Sequence, residues 1–283
     1  MSSQDASDIA SSTGPTIAVA PAPTAGTSNR TERVLTVRHW NESLFSFTTT
    51  RPTSFRFESG QFVMLGLPHP AQTPRRAYSV ASASYEDHLE FLSIKVPGGA
   101  LTTELQRLKP GDPVVIGNKP TGTLVLSDLR PGRVLYLLAT GTGLAPFLSL
   151  VRDPGIYDAF EKIVLVHGTR TLGDLAYRDY LQNILPQHEY LGEAVRRKLE
   201  YYPTVTREPF FHQGRITGLI AGNRLTDDLG LPALSPTTDR LMLCGSPAML
   251  ADTRALLDAR GFRISPGRGV AGDYLVERAF ADA

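Results

Sequence analysis

A glycine-rich turn is the first place in this sequence where residue types and spacing suggest chemistry. It reads Gly141-Thr142-Gly143-Leu144-Ala145-Pro146, after the apolar run 133–140 and before a helical pattern over 145–151. Glycines in such a turn let a phosphate approach the backbone, and the start of the helix offers free N–H groups. The pattern is not G-x-G-x-x-G and lacks the lysine of a P-loop. It therefore predicts either a phosphate site or a tight turn without a ligand.

Three arginines follow successive segments of the chain's second half. Arg170 follows an apolar strand pattern over 162–169, Arg207 follows a second over 201–206, and Arg215 stands in Gln213-Gly214-Arg215. Open α/β sheets bind ligands at the carboxyl ends of their strands, where arginines favour a ribose 2′-phosphate that they can grip bidentately. The alternative is that each arginine is a solvated surface residue.

A third candidate is the segment Arg75-Arg76-Ala77-Tyr78-Ser79, which has the pattern of a β-strand. In such a strand a tyrosine can stack on an aromatic cofactor, a serine hydroxyl can bond a ring nitrogen, and an arginine can hold a pyrophosphate. An ordinary strand with a basic end explains the same residues.

The fourth candidate is Cys244-Gly245-Ser246-Pro247, where a strand pattern meets a capped helix. A lone cysteine there is either a site residue at the ligand edge of the sheet or a small core residue. The histidines have no metal-ligand spacing, and His167, inside an apolar strand, is interpreted as a core histidine.

The composition excludes several classes of protein. The chain has 283 residues, a formal charge of +1 and one cysteine. One cysteine excludes an intrachain disulfide, a zinc finger and an iron–sulfur cluster held by four thiolates of this chain. The balanced charge predicts no nucleic-acid partner, and no apolar run approaches the about 18–20 residues of a membrane span. A reducing, cytoplasmic location is the expectation.

The elements that must position these residues change in type along the chain. Residues 1–29 are rich in Ser, Thr, Ala and Pro and contain no Lys or Arg, which predicts a disordered tail. Residues 30–130 contain many short strand patterns divided by turn residues, which predict a small antiparallel barrel or sandwich with one helix over 101–108.

Residues 131–283 alternate apolar strand patterns with helices. Strands are predicted over 133–140, 162–169, 201–206 and 239–245, with helices over 145–151, around 174–185 and from Pro247 to Arg260. This alternation predicts a parallel sheet covered on both faces. We therefore predict a two-domain chain, an antiparallel β half followed by an α/β half.

Taken in order, the motifs resemble the ferredoxin–NADP⁺ reductase family in its bacterial type, over about residues 31–283. The segments that carry the resemblance are Arg76-Ala77-Tyr78-Ser79, Val96-Pro97-Gly98-Gly99-Ala100-Leu101-Thr102, Ala139-Thr140-Gly141-Thr142-Gly143-Leu144-Ala145-Pro146, Arg170-Thr171, Tyr201-Tyr202-Pro203-Thr204-Val205-Thr206-Arg207-Glu208, Gly214-Arg215, Cys244-Gly245-Ser246-Pro247 and Val276-Glu277-Arg278-Ala279-Phe280. Each motif is modest alone, but the ordered set is specific.

The resemblance implies a six-stranded antiparallel FAD-binding barrel followed by a parallel-sheet NADP(H)-binding domain. It implies that Tyr78 stacks near the isoalloxazine, that Arg76 holds the pyrophosphate, and that Ser79, Cys244 and Glu277 form the catalytic group at flavin N5 and nicotinamide C4. The other implied FAD contacts are Ala77, Leu92, Ser93, Ile94, Ala100, Leu101, Thr102, Thr142, Ala279 and Phe280. The implied NADP contacts are Gly143, Arg170, Thr206, Arg207, Arg215, Cys244 and Gly245.

One position departs from the pattern of many relatives. They carry an aromatic residue two positions after the matching glutamate, whereas this chain has Ala279, followed by Phe280 and Ala281-Asp282-Ala283. A subgroup of bacterial reductases is similar. We expect the tail, including Phe280, to contact the FAD and partly screen its ring.

The resemblance implies a monomeric flavoprotein oxidoreductase that exchanges hydride between NADPH and FAD and single electrons with an acidic carrier, ferredoxin or flavodoxin. Two rival enzymes share the domains: a stand-alone NADPH:flavin reductase and the reductase component of an oxygenase. A non-catalytic, flavin-binding redox sensor is the rival outside enzymes.

Overall fold

The first sheet is a nearly closed antiparallel barrel. The computed structural model describes residues 29–68, 75–96 and 98–279. The sheet has the order β4-β3-β6-β1-β2-β5, and a bridge between Val80 and Phe91 links its two edge strands. Its strands are β1 (Asn29–His39), β2 (Leu44–Thr50), β3 (Phe62–Gly66), β4 (Arg76–Ser79), β5 (His88–Ile94) and β6 (Pro113–Gly117).

Strand β2 shows how the sequence fills the barrel. Phe45 and Phe47 are fully buried in its interior, where Phe47 packs on Phe91 with ring centroids 5.4 Å apart. Each buried phenylalanine contributes roughly 1.5–3 kcal/mol. Leu44 faces the other way and packs with Leu92 in the core of the α/β half. Both faces of β2 are therefore buried, and the barrel wall itself forms part of the domain junction.

The second sheet is parallel, with the order β11-β10-β7-β8-β9. Because β8 and β9 extend the sheet on one side of β7 while β10 and β11 extend it on the other, the order reverses between β7 and β10. Ligands of open α/β sheets bind at such a reversal, outside the carboxyl ends of the strands. The strands are β7 (Val134–Thr140), β8 (Lys162–Thr169), β9 (Leu199–Val205), β10 (Asp239–Gly245) and β11 (Tyr274–Arg278).

Helices and helical turns connect these strands. The α-helices are α1 (Thr102–Leu105), α2 (Ala145–Val151), α3 (Pro154–Ala159), α4 (Gly192–Lys198), α5 (Ile216–Ala221), α6 (Arg224–Asp228) and α7 (Pro247–Ala259). Shorter 3₁₀ turns span Leu126–Asp128, Gly141–Leu144, Leu172–Asp174 and Leu185–Gln187, and a π-helical turn spans Tyr180–Ile184. Within the described ranges, no helix is both long and apolar enough to cross a membrane.

Most predicted elements are confirmed, and two helices differ. The helix predicted over 101–108 is α-helical only over Thr102–Leu105, because the following bonds, Arg107 N–H to Glu104 O and Leu108 N–H to Leu105 O, tighten to three-residue turns. The stretch around 174–185 breaks at Tyr177, whose φ of 61° is left-handed. A residue in that conformation cannot continue a right-handed helix.

Buried polar contacts join the two halves. The Ser149 hydroxyl donates to the Ser82 carbonyl at 2.6 Å. Arg152 pairs with the Glu90 carboxylate at 2.6 Å, and the Tyr177 hydroxyl donates to the same carboxylate at 2.7 Å. Removing one partner of such a pair leaves the other charge uncompensated at a cost of about 3–5 kcal/mol. The ends of α2 and β5 are thereby fixed against each other.

The remaining domain expectations stand as predictions. The boundary predicted between residues 130 and 131 lies in the connection between β6 and β7. The disordered tail predicted over 1–29 lies outside the described residues, apart from Asn29, which begins β1. The flavin contact predicted for Phe280 and the tail after it also lies outside them.

Candidate functional site

The crevice between β7 and β10 depends on close approach of two backbone segments. A Cβ on Gly143 would lie 2.2 Å from the Cys244 carbonyl oxygen, and one on Gly245 would lie 2.1 Å from the Thr140 hydroxyl. That hydroxyl accepts the Ser246 N–H at 3.0 Å. Only glycine fits at both positions, so close packing of the two segments requires glycine there.

Thr142 lies in this turn with an unused hydrogen-bonding group. Its side chain is buried, and its hydroxyl oxygen has no partner among the described residues. A buried hydroxyl without a partner costs about 1–3 kcal/mol. Its position, at the start of the helix and beside the end of β10, therefore fits a polar ligand that would complete the hydrogen bond.

Cys244 and Glu277 are neighbours in the register of β10 and β11. Burial raises the pKa of the Cys244 thiol, and the nearby Glu277 carboxylate raises it further. Burial also raises the pKa of Glu277 to about 7, against the opposing effect of the Thr123 N–H, which donates to its carboxylate at 3.1 Å. Because Thr123 follows the barrel, this hydrogen bond places Glu277 at the domain junction. Its raised pKa lets the carboxyl group hold or release a proton near neutral pH.

A cleft of about 730 Å³ opens beside this crevice and brings the three predicted arginines together. Arg170, Arg207 and Arg215 all line it and are exposed. Two contacts tie their loops: the Arg207 N–H donates to the Arg170 carbonyl at 3.0 Å, and the Thr206 hydroxyl donates to the Thr169 carbonyl at 3.2 Å. The sequence prediction that these arginines share one ligand edge is consistent with this geometry.

Nearby carboxylates do not neutralise these arginines. Asp174 accepts hydrogen bonds from the Thr171 N–H and hydroxyl, and Glu208 accepts one from the Leu172 N–H. In the part of the chain that the structure describes, no carboxylate lies within 4.0 Å of the three guanidinium groups. Asp174 and Asp252 also line the cleft, so its three guanidinium groups exceed its two carboxylates and leave a net positive charge, which suits a phosphate.

The predicted flavin-contacting segment forms the edge strand β4. Tyr78 is buried with its ring edge-on to Phe91, and its hydroxyl lies 3.1 Å from the Ser93 hydroxyl. Burial raises the pKa of this tyrosine, which keeps it neutral. Arg76 and Ser79 are partly exposed, and the Arg76 guanidinium bonds only the carbonyl of Arg75 among the described residues. Its charge is therefore available to a ligand. Ala77 is exposed.

The remaining predicted flavin contacts fall into two groups. Leu92 and Ser93 are buried in β5, while Ile94, at its end, lines the arginine cleft. Near α1, Leu101 is buried, Ala100 is exposed, and the Thr102 hydroxyl bonds the backbone of Val96, at 3.3 Å to its nitrogen and 3.4 Å to its carbonyl oxygen. The Ala279 N–H donates to the Gly245 carbonyl at 3.3 Å, which places it beside the crevice.

His167 is confirmed as a core residue. It is buried, and its Nδ1 lies 3.0 Å from the Tyr201 hydroxyl. Burial lowers its pKa to about 4, so the imidazole is neutral at physiological pH. No group of three or more potential metal ligands occurs within residues 29–68, 75–96 and 98–279.

Sequence reasoning did not identify the residues that hold the site together across domains. Thr123, Arg152 and Asn41 each bond a residue more than 60 positions away in sequence. Nothing local in the sequence signals these contacts. The polar character of Asn41, between Trp40 and a strand pattern, indicates only a turn.

Comparisons with known proteins agree with this arrangement. The description "Oxidoreductase FAD-binding domain" matches residues 34–125, and "Oxidoreductase NAD-binding domain" matches residues 137–255. The ferredoxin–NADP reductase of Pseudomonas aeruginosa is 57% identical over 252 residues, which cover 89% of this chain and 98% of that protein. The flavodoxin/ferredoxin–NADP reductase of Rhodobacter capsulatus is 46% identical over 250 residues, covering 88% of this chain and 92% of that one.

A solved structure extends the similarity to the fold. The ferredoxin NADP⁺ reductase of Neisseria gonorrhoeae, with bound FAD and NADP, superimposes with a TM-score of 0.80 at 30% identity. The match covers 89% of this chain and 99% of that one.

Proposed function

The chain belongs to the ferredoxin–NADP reductase family, and we propose that it exchanges hydride between NADPH and FAD and single electrons with ferredoxin or flavodoxin. The observation that carries the proposal is the cleft of about 730 Å³ at the sheet reversal, in which Arg170, Arg207 and Arg215 lie together without carboxylate partners. Bound FAD supplies the hydride and one-electron chemistry, and the protein orients the reactants.

We infer that the cleft binds the adenosine end of NADPH. Three free guanidinium groups match a 2′-phosphate, which arginine can grip with paired hydrogen bonds, and the Thr206 hydroxyl stands beside them. At the other end of the cleft, Thr140, Gly141 and Thr142 form the wall, and the close packing of Gly143 and Gly245 holds this turn against the end of β10. The contact of the nicotinamide with Cys244, whose side chain is fully buried, stays a prediction of the resemblance.

We assign the flavin to the face formed by β4 and the end of β5. The free charge of Arg76 fits a pyrophosphate, and Ser79, half-buried on the edge strand, supplies a hydroxyl to the ring. The roles of Tyr78 and of the residues around α1 stay predictions of the resemblance. Thr142, whose buried hydroxyl has no protein partner, fits between the two ligands.

The proposed catalytic group consists of Ser79, Cys244 and Glu277. The Cys244 thiol is fully buried, and its raised pKa keeps it protonated and neutral. Glu277, with a pKa of about 7, holds a proton on its carboxyl group near the reacting rings and releases it as the pH rises. This carboxyl group is the chain's best candidate for balancing charge when a proton follows the electrons.

We further propose that the chain acts as a monomer and docks an acidic carrier. Exposed basic residues of the barrel half, among them Arg33, Arg56 and Lys119, support such docking. A cytoplasmic location is in keeping with a cysteine that is free and buried.

A direct test is NADPH-driven reduction by the purified flavoprotein, measured separately with ferredoxin, flavodoxin and free FMN. We expect kcat/KM to be higher with either protein carrier than with free FMN. A preference for free FMN would instead identify a flavin reductase, and a colourless protein without NADPH oxidation would exclude enzyme function.

A further inference from the structure

The turn between β1 and β2 reaches across the domain junction to the arginine cleft. The Asn41 side-chain N–H₂ donates to the Gly173 carbonyl at 2.8 Å and to the Asp174 carboxylate at 3.0 Å. Both acceptors belong to the 3₁₀ turn Leu172–Asp174 of the other half, directly after Arg170. We propose that Asn41 is a positioning residue for the 2′-phosphate of NADPH, acting through Asp174 on the Arg170 loop; this rests on the proposed function.

The hydrogen bonds of Asn41 permit only one orientation of its amide. Its Oδ1 accepts from the Ser43 N–H at 2.8 Å, the Ser43 hydroxyl at 3.1 Å and the Leu44 N–H at 2.8 Å. The N–H groups of Ser43 and Leu44 can only donate, while both partners of Nδ2 are acceptors, so a flip would oppose like groups on both sides. The Oδ1 atom of Asn41 thus holds the turn between β1 and β2, and the Nδ2 atom binds the 3₁₀ turn Leu172–Asp174 of the α/β half.

The second half of the path runs from Asp174 to the arginines. The other oxygen of Asp174 accepts from the Thr171 hydroxyl at 2.9 Å and from the Thr171 N–H at 3.2 Å. Thr171 follows Arg170, whose carbonyl accepts the Arg207 N–H at 3.0 Å. Asp174 therefore fixes the backbone on which Arg170 stands, and this backbone in turn fixes Arg207.

The location of the turn agrees with this role. Ser43 and Leu44, which Asn41 holds through Oδ1, line the same cleft as Arg170 and Arg207. The barrel half therefore contributes one wall of the cleft, and Asn41 sets its position relative to the loop that carries Arg170.

Exchanging amide and carboxylate tests the bridge with nearly isosteric changes. Asn41→Asp keeps the oxygen that shapes the turn but places a second carboxylate oxygen against Asp174 and the Gly173 carbonyl. Asp174→Asn keeps an oxygen for Thr171 but sets two amide donors against each other. The double variant restores one donor and one acceptor, in reversed order, so the two changes should be coupled.

The measurement is the Kd of 2′,5′-ADP for the FAD-loaded protein by calorimetry, with 5′-ADP as the ligand that lacks the 2′-phosphate. We expect each single variant to bind 2′,5′-ADP about tenfold more weakly, as for loss of one charge-assisted hydrogen bond, with 5′-ADP changing less. The double variant should recover part of the loss, because the contact with residue 174 is restored while the carboxylate at position 41 still faces the Gly173 carbonyl. In steady state, KM for NADPH should rise while kcat at saturation changes little.

Asp174→Asn separates positioning from simple charge. Removing a negative charge from the cleft wall would tighten binding of a phosphate if electrostatics alone mattered, whereas loss of the bridge weakens it. The matched control for Asn41→Asp is Asn183→Asp, since Asn183 also donates to a carboxylate, that of Asp179, but on an exposed surface. Tighter binding by Asp174→Asn, or equal losses with 5′-ADP, would overturn the inference. Failure of the unaltered protein to prefer 2′,5′-ADP over 5′-ADP would overturn the proposed function itself.

Discussion

Replacing Glu277 with glutamine should change the pH dependence of stability in a calculable way. The folded protein raises the pKa of this carboxyl group from its ordinary 4.5 to about 7, mainly through burial. Since the folded state holds the proton more tightly than the unfolded chain, the free energy of unfolding falls as the pH rises from 4.5 to 7 and stays low above that. Glutamine, which never ionises, avoids this loss.

The size of the effect follows from the same shift. A difference of one pKa unit corresponds to about 1.4 kcal/mol, so the full shift sets an upper limit of about 3 kcal/mol. Glu277 is partly exposed, which reduces the expected value to about 2 kcal/mol. Glu277→Gln should therefore equal the unaltered protein at pH 4.5 and exceed it in stability by about 2 kcal/mol at pH 8.

The assay is urea unfolding followed by circular dichroism, at constant ionic strength, over pH 4.5–8. Other titrating groups, such as His167, are common to both proteins and cancel in the difference between their curves. Glu193→Gln, which alters an exposed carboxylate on α4, controls for loss of one negative charge. A difference between the Glu277→Gln and unaltered curves that stays flat with pH would refute the assignment of a raised pKa to this residue.

Three further changes probe the cleft, the crevice and the domain junction. Arg207→Ala should raise KM for NADPH about 10- to 150-fold, the value of hydrogen bonds to a charged group, and leave KM for NADH nearly unchanged; equal losses with both would exclude a 2′-phosphate contact. Thr142→Val should raise the free energy of unfolding by about 1 kcal/mol, because it removes a buried hydroxyl without a partner; destabilisation in urea would contradict this. Arg152→Met should cost about 3–5 kcal/mol in the same assay by leaving the buried Glu90 carboxylate without a cationic partner, whereas Arg133→Met, which breaks an exposed pair, should cost much less; similar losses would refute the contrast.

Local sequence signals were sufficient for much of the fold. Ser246 followed by Pro247 predicts the start of α7, and in the structure the Ser246 hydroxyl accepts the Met249 N–H at 3.4 Å. The continuous apolar run of β7 likewise predicts a buried strand. These predictions succeed because a cap or a buried strand is decided by residues a few positions apart.

The predictions that failed concern residues whose conformation or role depends on contacts distant in sequence. No residue close to Tyr177 in the sequence predicts its left-handed backbone. The groups that contact its side chain are distant in sequence: the Glu90 carboxylate and the Trp40 ring, whose centroid lies 4.5 Å from that of the tyrosine. Tertiary contacts outweigh the local helix preference there. The same reason explains why the sequence predicts that the three arginines share one edge of the sheet, but not that Asn41 reaches the loop of Arg170.

The reactivity of Cys244, in β10, can report how often the central sheet opens transiently. A thiol reacts as the thiolate, and Cys244 is both inaccessible and held protonated by its raised pKa. A maleimide can therefore modify this chain only in molecules whose central sheet has opened around β10. The labelling rate therefore measures the population of open molecules without an introduced cysteine. If nucleotide binds only the closed sheet, adding it should slow the labelling, and the decrease in rate measures the stabilisation of the sheet by the ligand.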